Sequence, residues 1–244
     1  MVLFFYMSYR LLFIDTETTG NEEGDYLVQI GFKEGAKTHS ELFKPPIPIS
    51  IEGMAVHHIT NKMVAPKPAF QYSPLHKELH EKAHDGKTIF VAHNAPFDLR
   101  MLRKEGIMPG LYICTLRVAR TLDEEAKISS YRLQYLRYLL ELDVEAEAHD
   151  ALGDVLVLEK LFERLFKKIQ EKNNTDERAT LEIMMEISSH PVLIKKFNFG
   201  KHNGKTLEEV ASIAPDYLEW LYAQKKQNPT DEEDWLYTLE QYVK

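Results

Sequence analysis

Residues 9–14 form an apolar run that stops abruptly at Asp15, and a second acid, Glu17, follows two positions later. Such a run reads as a β-strand. A strand turns alternate side chains to the same side, so Asp15 and Glu17 are expected to point together from its end. Two acids held that way can grip a hard cation. Two more strand-like runs, at 26–33 and 38–43, are set apart by polar or glycine-containing turns, which makes the start of the chain an antiparallel meander.

After the proline-rich stretch at 45–48 the pattern changes to alternating helices and strands. Ser73-Pro74 opens a helix to about residue 83. A short strand at 88–92 precedes Asn94, which is expected to cap a helix carrying Phe97, Asp98 and Met101. A strand at 111–114 leads into another helix, and Ser130 is expected to cap an amphipathic segment with Leu133, Leu136, Leu139 and Leu140 on one face. The last long helix of this region, about 151–170, has Val155, Leu158, Leu161, Phe162 and Leu165 at core spacing. The alternation predicts an α/β layered domain.

The polar stretch 171–178, with Asn173-Asn174 at its centre, divides the chain into a domain at 1–172, a linker region at 173–189 and a small unit at 190–244. That unit reads as a hairpin around Asn203-Gly204 followed by a helix from Pro215 with Tyr217, Leu218, Trp220 and Leu221. So few residues make a poor independent core, so the unit is expected to lean on the main domain or on a partner.

With 44% hydrophobic and 28% charged residues, the 244-residue chain has the composition of an ordinary globular protein. Its single cysteine, Cys114, excludes an internal disulfide framework and reads as a small buried apolar residue. The apolar stretch 2–6 is too short for a membrane helix and lacks the features of a signal peptide, so a cytoplasmic location without membrane contact is expected. A net charge of -8 argues against coating long duplexes through a broad basic face. It leaves open an enzyme that grips one strand end through cations seated among clustered carboxylates.

Three further residues join Asp15 and Glu17 in a candidate metal site: Asp98, His149 and Asp154. His149 and Asp154 would diverge by about 140° on one ideal helix. With Asp150 as N-cap, however, His149 precedes the helix and is free to lean over the ligand that Asp154 holds. An all-carboxylate set without thiolates favours Mg2+ or Mn2+ over zinc. Two such ions, about 3.5 to 4 Å apart, suit in-line displacement at phosphorus. His149, neutral near pH 7, is then placed to accept the proton of the attacking water. Any one of these acids alone would read as a turn, a solvated helix residue or a cap; the ordered set reads as a two-metal phosphodiesterase site. His76, His80 and His84 stand at helical spacing, but no cysteine or acid joins them at a known zinc spacing, so they read as a solvated helix face.

The motifs Asp15-Thr16-Glu17, His93-Asn94-Ala95-Pro96-Phe97-Asp98 and His149-Asp150-Ala151-Leu152-Gly153-Asp154 resemble those of the DnaQ-like (DEDDh) 3′-5′ exonucleases, in family order over about residues 9–170. The resemblance implies a ribonuclease H-like fold, a mixed five-stranded sheet flanked by helices. It implies that Asp15, Glu17, Asp98 and Asp154 hold two Mg2+ ions, with Mn2+ as substitute, and that His149 is the general base. It also implies hydrolysis from the 3′ end of single-stranded or duplex DNA with release of nucleoside 5′-monophosphates. The segment 54–60 is similar to the one that lines the family's terminal-nucleotide pocket, with His58 where glycine is common. Thr18, Val56, His57, His93, Asn94 and Phe97 are candidate substrate contacts on that basis, a structural role standing as the alternative for His57 and His93.

The tail, with Gly200-Lys201-His202-Asn203-Gly204-Lys205, resembles that of the exonuclease X group within the family. Residues 191–205 contain no carboxylate, so Lys195, Lys196, Lys201 and Lys205 are candidate phosphate contacts, or else a solvated lysine-rich edge. RNA trimming and proofreading beside a polymerase partner are alternative activities. A non-catalytic nucleic-acid-binding module is the alternative from another class. The sequence itself points to no protein partner.

Overall fold

The structure, a computed structural model, describes residues 9–144, 151–227, 229 and 232–243. Three strands open it: β1 (Arg10–Thr18), β2 (Leu27–Glu34) and β3 (Lys37–Leu42). They pair antiparallel as the expected meander. Two short helices follow, α1 (Ile51–His57) and α2 (Asn61–Val64), then α3 (Pro74–Ala83). β4 (Thr88–Ala92), α4 (Ala95–Lys104), β5 (Tyr112–Cys114) and α5 (Thr115–Leu122) supply the alternating half. The sheet order is β3-β2-β1-β4-β5, with β4 parallel to both β1 and β5. This is the mixed five-stranded sheet expected of the family.

β1 is the central strand and is buried from both sides. Leu12 and Ile14 enter a cluster with Leu79 of α3 and Leu99 and Leu102 of α4, while Phe13 enters a second cluster on the opposite face. That second face is covered by α6 (Leu133–Leu139) and the long α7 (Ala151–Asn173), which contributes Val155, Leu158, Leu161, Phe162 and Leu165. Cys114 is fully buried, as expected, and burial raises its thiol pKa.

Two expected caps differ. Ser73 accepts from the His76 amide at 3.2 Å and caps α3, but Asn94 takes the left-handed conformation (φ 69, ψ 49) and makes no side-chain cap bond to α4. Asparagine tolerates that region, and the following Ala95-Pro96 suits the first helical turn. Ser130 does not cap α6 either: the helix starts after Arg132, and Ser130 Oγ accepts only from the Arg132 amide at 3.4 Å.

The region 173–189, read from its polarity as a linker, is largely helical. α8 (Glu177–Ser189), capped by Asp176, buries Thr180, Met184 and Ser188. Met184 enters the apolar cluster on the Phe13 side of the sheet, with Leu181 and Ile187 packed against it, and polar contacts complete the docking. Ser188 Oγ accepts the Cys114 amide of β5 at 2.8 Å, and the Ser188 carbonyl accepts from Arg117 Nη1 at 2.7 Å.

The tail unit contracts the expected hairpin to one bridge, Lys196 to Thr206, around a 3₁₀ turn at Gly200–His202. Three helices follow: α9 (Leu207–Ile213), α10 (Pro215–Gln227) and α11 (Glu233–Leu239). Phe197, Leu207, Val210, Leu218, Leu221 and Leu239 form their small core. As expected, the unit leans on the main domain. Buried Arg117 of α5 meets Asp234 at 3.0 Å and Glu233 at 2.6 Å, and Arg120 also pairs with Asp234.

Breaking a buried charge pair strands its partner, at about 3 to 5 kcal/mol. Arg120 still holds Asp234 and Glu233 is largely exposed, so Arg117→Ala is expected to lower the unfolding free energy by less than that, about 1 to 3 kcal/mol as for lost charged hydrogen bonds, and with it the urea midpoint. An unchanged midpoint would show that the unit does not depend on this network.

Candidate active site

The register of the meander builds the site. Asp15 pairs across from Gly31, and Glu17 from Gln29, with a register shift immediately after Glu17. Paired residues share a face, so Gly31 and Gln29 lie beside the two acids. Gly31 has no side chain where the start of α7 arrives: a Cβ there would sit 2.5 Å from the carbonyl carbon of Ala151. The backbone of α7 thus rests directly on β2, and the Ala151 amide is 3.5 Å from Gln29 Oε1.

Asp154, in the first turn of α7, is carried by this contact to the end of β1. Ligand oxygens of Asp15, Glu17 and Asp154 lie within 4.8 Å of one another. Gln134 of α6 donates from Nε2 to Asp154 Oδ1, and Arg137 Nη1 donates to Gln134 Oε1 at 3.3 Å. Asp98 stands outside the trio. It is buried on α4 and its Oδ1 accepts from Thr16 Oγ1 at 2.7 Å, so it is anchored to the residue between the two β1 acids.

Three carboxylates this close repel one another unless a cation shares them. The donors are all oxygen, which fits a hard divalent ion and gives no preference to zinc. His149 and Asp150 lie outside the described residues. The cap geometry expected of Asp150 and the reach of His149 therefore rest on the sequence; their place in the chain is directly before α7.

Of the candidate nucleotide contacts, Thr18 and His57 meet at the end of β1. α1 packs against the end of β1, where the Ser50 amide donates to the Thr19 carbonyl at 3.0 Å. His57 is buried; its Nδ1 accepts from the Ile59 amide at 3.0 Å, which leaves Nε2–H to donate to the Thr18 carbonyl at 3.1 Å. Burial lowers its pKa, so the ring is neutral. Both nitrogens are spent inside the fold, and His57 braces the loop that holds Thr18, whose hydroxyl donates to the Gly20 carbonyl. His58 takes φ 60, a left-handed position where glycine is unstrained. Val56, by contrast, is 54% exposed.

His93 is also engaged. Nε2–H donates to the Tyr131 carbonyl at 2.6 Å and Nδ1 faces the Thr115 hydroxyl at 2.9 Å. Burial holds its pKa at about 4, against the opposing effect of the Tyr131 carbonyl. Phe97 is half-buried, with the Arg100 guanidinium 5.1 Å from its ring centre.

Two of the four candidate phosphate contacts are turned inward. Lys195 Nζ donates to the carbonyls of Asp123 at 2.8 Å and Glu124 at 3.1 Å, and Lys196 Nζ to that of Ala126 at 2.6 Å. They fasten the tail to the loop after α5. Lys201 lies 5.0 Å from the Tyr217 ring centre. The histidine row on α3 makes backbone contacts, His76 to the Glu105 carbonyl and His84 to that of His80, each at 2.8 Å.

Gly31, Gln29 and Gln134 are the positioning residues that sequence reasoning missed. A glycine and an amide inside an otherwise apolar strand were the visible signal for the first two. Gln134 had none, because only the packing of α6 on α7 places it.

Residues 12–162 match the family described as Exonuclease, and residues 197–226 the family described as Exodeoxyribonuclease X-like C-terminal. Exodeoxyribonuclease 10 of Escherichia coli (strain K12) is 35% identical over 216 residues, covering 87% of this chain and 90% of that protein. The DNA polymerase III subunit epsilon-like protein of Rhodobacter capsulatus is 31% identical, covering 78% of this chain and 28% of that one. Among solved structures, exonuclease X in complex with 5′ overhanging duplex DNA is similar with a TM-score of 0.56 at 31% identity, over 73% of this chain and 99% of that chain.

Two outcomes follow from the geometry. Gly31→Ala places a methyl group inside the Ala151 backbone, so it is expected to push α7 outward and weaken Mn2+ binding by at least about tenfold in calorimetric titration, on the scale seen for groups that orient metal ligands; retained affinity would show that the site tolerates the shift. For His93, the unfolded chain takes up a proton below about pH 6.5 that the folded ring refuses until about pH 4. Its contribution to stability is thus complete above about pH 6.5 and is lost as pH falls toward 4. In NMR the His93 ring is expected to show no titration between about pH 5.5 and 8, whereas a midpoint near the ordinary histidine value of about 6.5 would contradict its burial.

Proposed function

Because the chain belongs to the exonuclease family and is by that membership a nuclease, we propose that it works from the 3′ end of DNA, removing nucleoside 5′-monophosphates one at a time. The observation that carries this reading is the meeting of Asp15, Glu17 and Asp154 within 4.8 Å at the end of the central strand. Support for DNA comes from the relatives: one is named an exodeoxyribonuclease, and another was solved with a DNA duplex.

Asp15, Glu17 and Asp154 would hold Mg2+, with Mn2+ as substitute, and Asp98 would join them for a second ion. Bound there, the ions supply the positive charge that a phosphodiester and its departing oxygen require during in-line displacement. The chain's own groups do the rest. Gln134 orients the Asp154 carboxylate through its amide. His149 accepts the proton of the attacking water, as a neutral imidazole near pH 7 is suited to do. Thr18, Val56, Asn94 and Phe97 line the seat of the terminal nucleotide, while His57 and His93 keep its walls in place. Among the described residues no helix is long and apolar enough to cross a membrane.

The test is digestion of 5′-labelled single-stranded DNA, duplex DNA and RNA in Mg2+, with and without chelator. Expected are a ladder shortened from the 3′ end, released 5′-mononucleotides and complete arrest by chelator. Asp15→Asn is expected to reduce turnover by about a thousandfold, as for loss of a group that stabilises charge in the transition state. Chelator-resistant cleavage, or full activity in Asp15→Asn, would refute the metal site; faster loss of RNA than DNA would reassign the substrate.

A further inference from the structure

A cleft of about 310 Å³ separates the exonuclease domain from the tail unit and contains Asn94, Arg132, Asn198 and Trp235 in its walls. A second hollow of about 160 Å³ continues it along the tail, sharing Arg120, Tyr131, Asn198 and Trp235. The wall of the path includes Asn94 and Pro96, at the start of the helix that carries Asp98. Asn94 stands four residues before Asp98, and Arg132 two residues before Gln134, whose amide holds Asp154.

The charges along the path are unequal in what they have left to bind. Asp234 is occupied by Arg117 and Arg120, and Glu232 by Lys225. Arg132 is exposed, and among the described residues its guanidinium has neither a hydrogen-bond nor an ionic partner. The acids of the cleft are therefore neutralised within the fold, and a positive charge remains for an anion. Trp235, half-buried, is braced by Phe197 and Phe199, each with its ring centre 5.4 Å away. An indole fixed at the side of a cleft, a cation and side-chain amides make the surface that holds a single nucleic-acid strand, bases stacking on the ring and phosphates meeting the charge.

We propose that the tail unit and the exonuclease domain together hold the single strand that feeds the catalytic site, with Trp235 as a stacking platform and Arg132 as a phosphate contact. The inference rests on the exonuclease reading for the strand's direction and assigns the tail a task in it. It also reassigns two of the four candidate lysines: Lys195 and Lys196 build the cleft by fastening its two walls, and the strand meets Arg132, Asn198 and Trp235.

The chain has two tryptophans, so Trp220→Phe leaves Trp235 as its sole indole. In that background, with Asp15→Asn added to stop cleavage, a thymidine oligonucleotide of roughly 12 residues, within the site sizes of single-strand binders, is expected to quench fluorescence, more weakly as salt rises. Arg132→Ala is expected to reduce affinity about tenfold and the salt slope by about one. In cleavage assays on the otherwise native protein, Arg132→Ala and Asn198→Ala are expected to raise KM for the long strand more than for a dinucleotide, the effect falling on KM rather than kcat. Cleavage of the long strand with no quench and no KM shift would overturn the cleft. Quenching without any cleavage by the native protein would instead remove the exonuclease reading and leave strand binding standing.

Discussion

The contact of helix backbone on strand backbone at Gly31 is the constraint on which the site depends. Asp15 and Glu17 are neighbours by strand geometry alone, but Asp154 lies far along the chain and reaches them only because α7 begins against β2. A side chain at position 31 would hold the helix away. Close packing of this kind transmits small displacements, since interiors have little free volume to absorb them. The same antiparallel register that pairs Gly31 with Asp15 also sets Gln29 beside Glu17, so one ladder positions both the acids and the floor under the helix.

The fold tolerates a cluster of like charges because the rest of the sheet is well buried. β1 is enclosed by apolar clusters on both faces up to Ile14 and turns polar only at its end. Crowded carboxylates raise the energy of the ion-free protein and are relieved by a divalent cation, so the feature that destabilises the fold locally also makes the site selective for metal. Anchoring to Thr16 and Gln134 keeps Asp98 and Asp154 from swinging away. Around them, His57 and His93 are held neutral by burial and bonded through both nitrogens, which makes them braces of the pocket wall.

The tail depends on the main domain for its place. Its core is small, and polar contacts join it to α5 and the loop that follows: Arg117 and Arg120 to Asp234, Lys195 and Lys196 to backbone carbonyls. Polar docking leaves a cleft with water access where an apolar interface would have closed, and Asn94 and Pro96 of the exonuclease domain stand in its wall. α8, with Ser188 at the centre of three hydrogen bonds to Cys114, Arg117 and Tyr112, stiffens the base of the same joint.

Much was legible in the residues themselves. The meander, the alternation that follows it and the two acids at the end of β1 come from periodicities of two and 3.6, which are local properties of the chain. The motif order pointed to the right family for the same reason, because catalytic groups keep short local settings. α8 begins inside a polar, charged stretch that reads as a linker, and its inward face mixes Met184 with Thr180 and Ser188. The strand hairpin of the tail shrank to a bridge because the turn at Gly200–His202 winds as a 3₁₀ helix. The four lysines looked alike in sequence, yet two are spent on carbonyls of the main domain. Sequence alone determined which side chains are candidates for the chemistry, since that depends on their kind and local spacing; tertiary structure decided which of them meet, because the approach of α7 to Gly31 and of the tail to α5 joins residues far apart in the chain, and no periodicity encodes that distance.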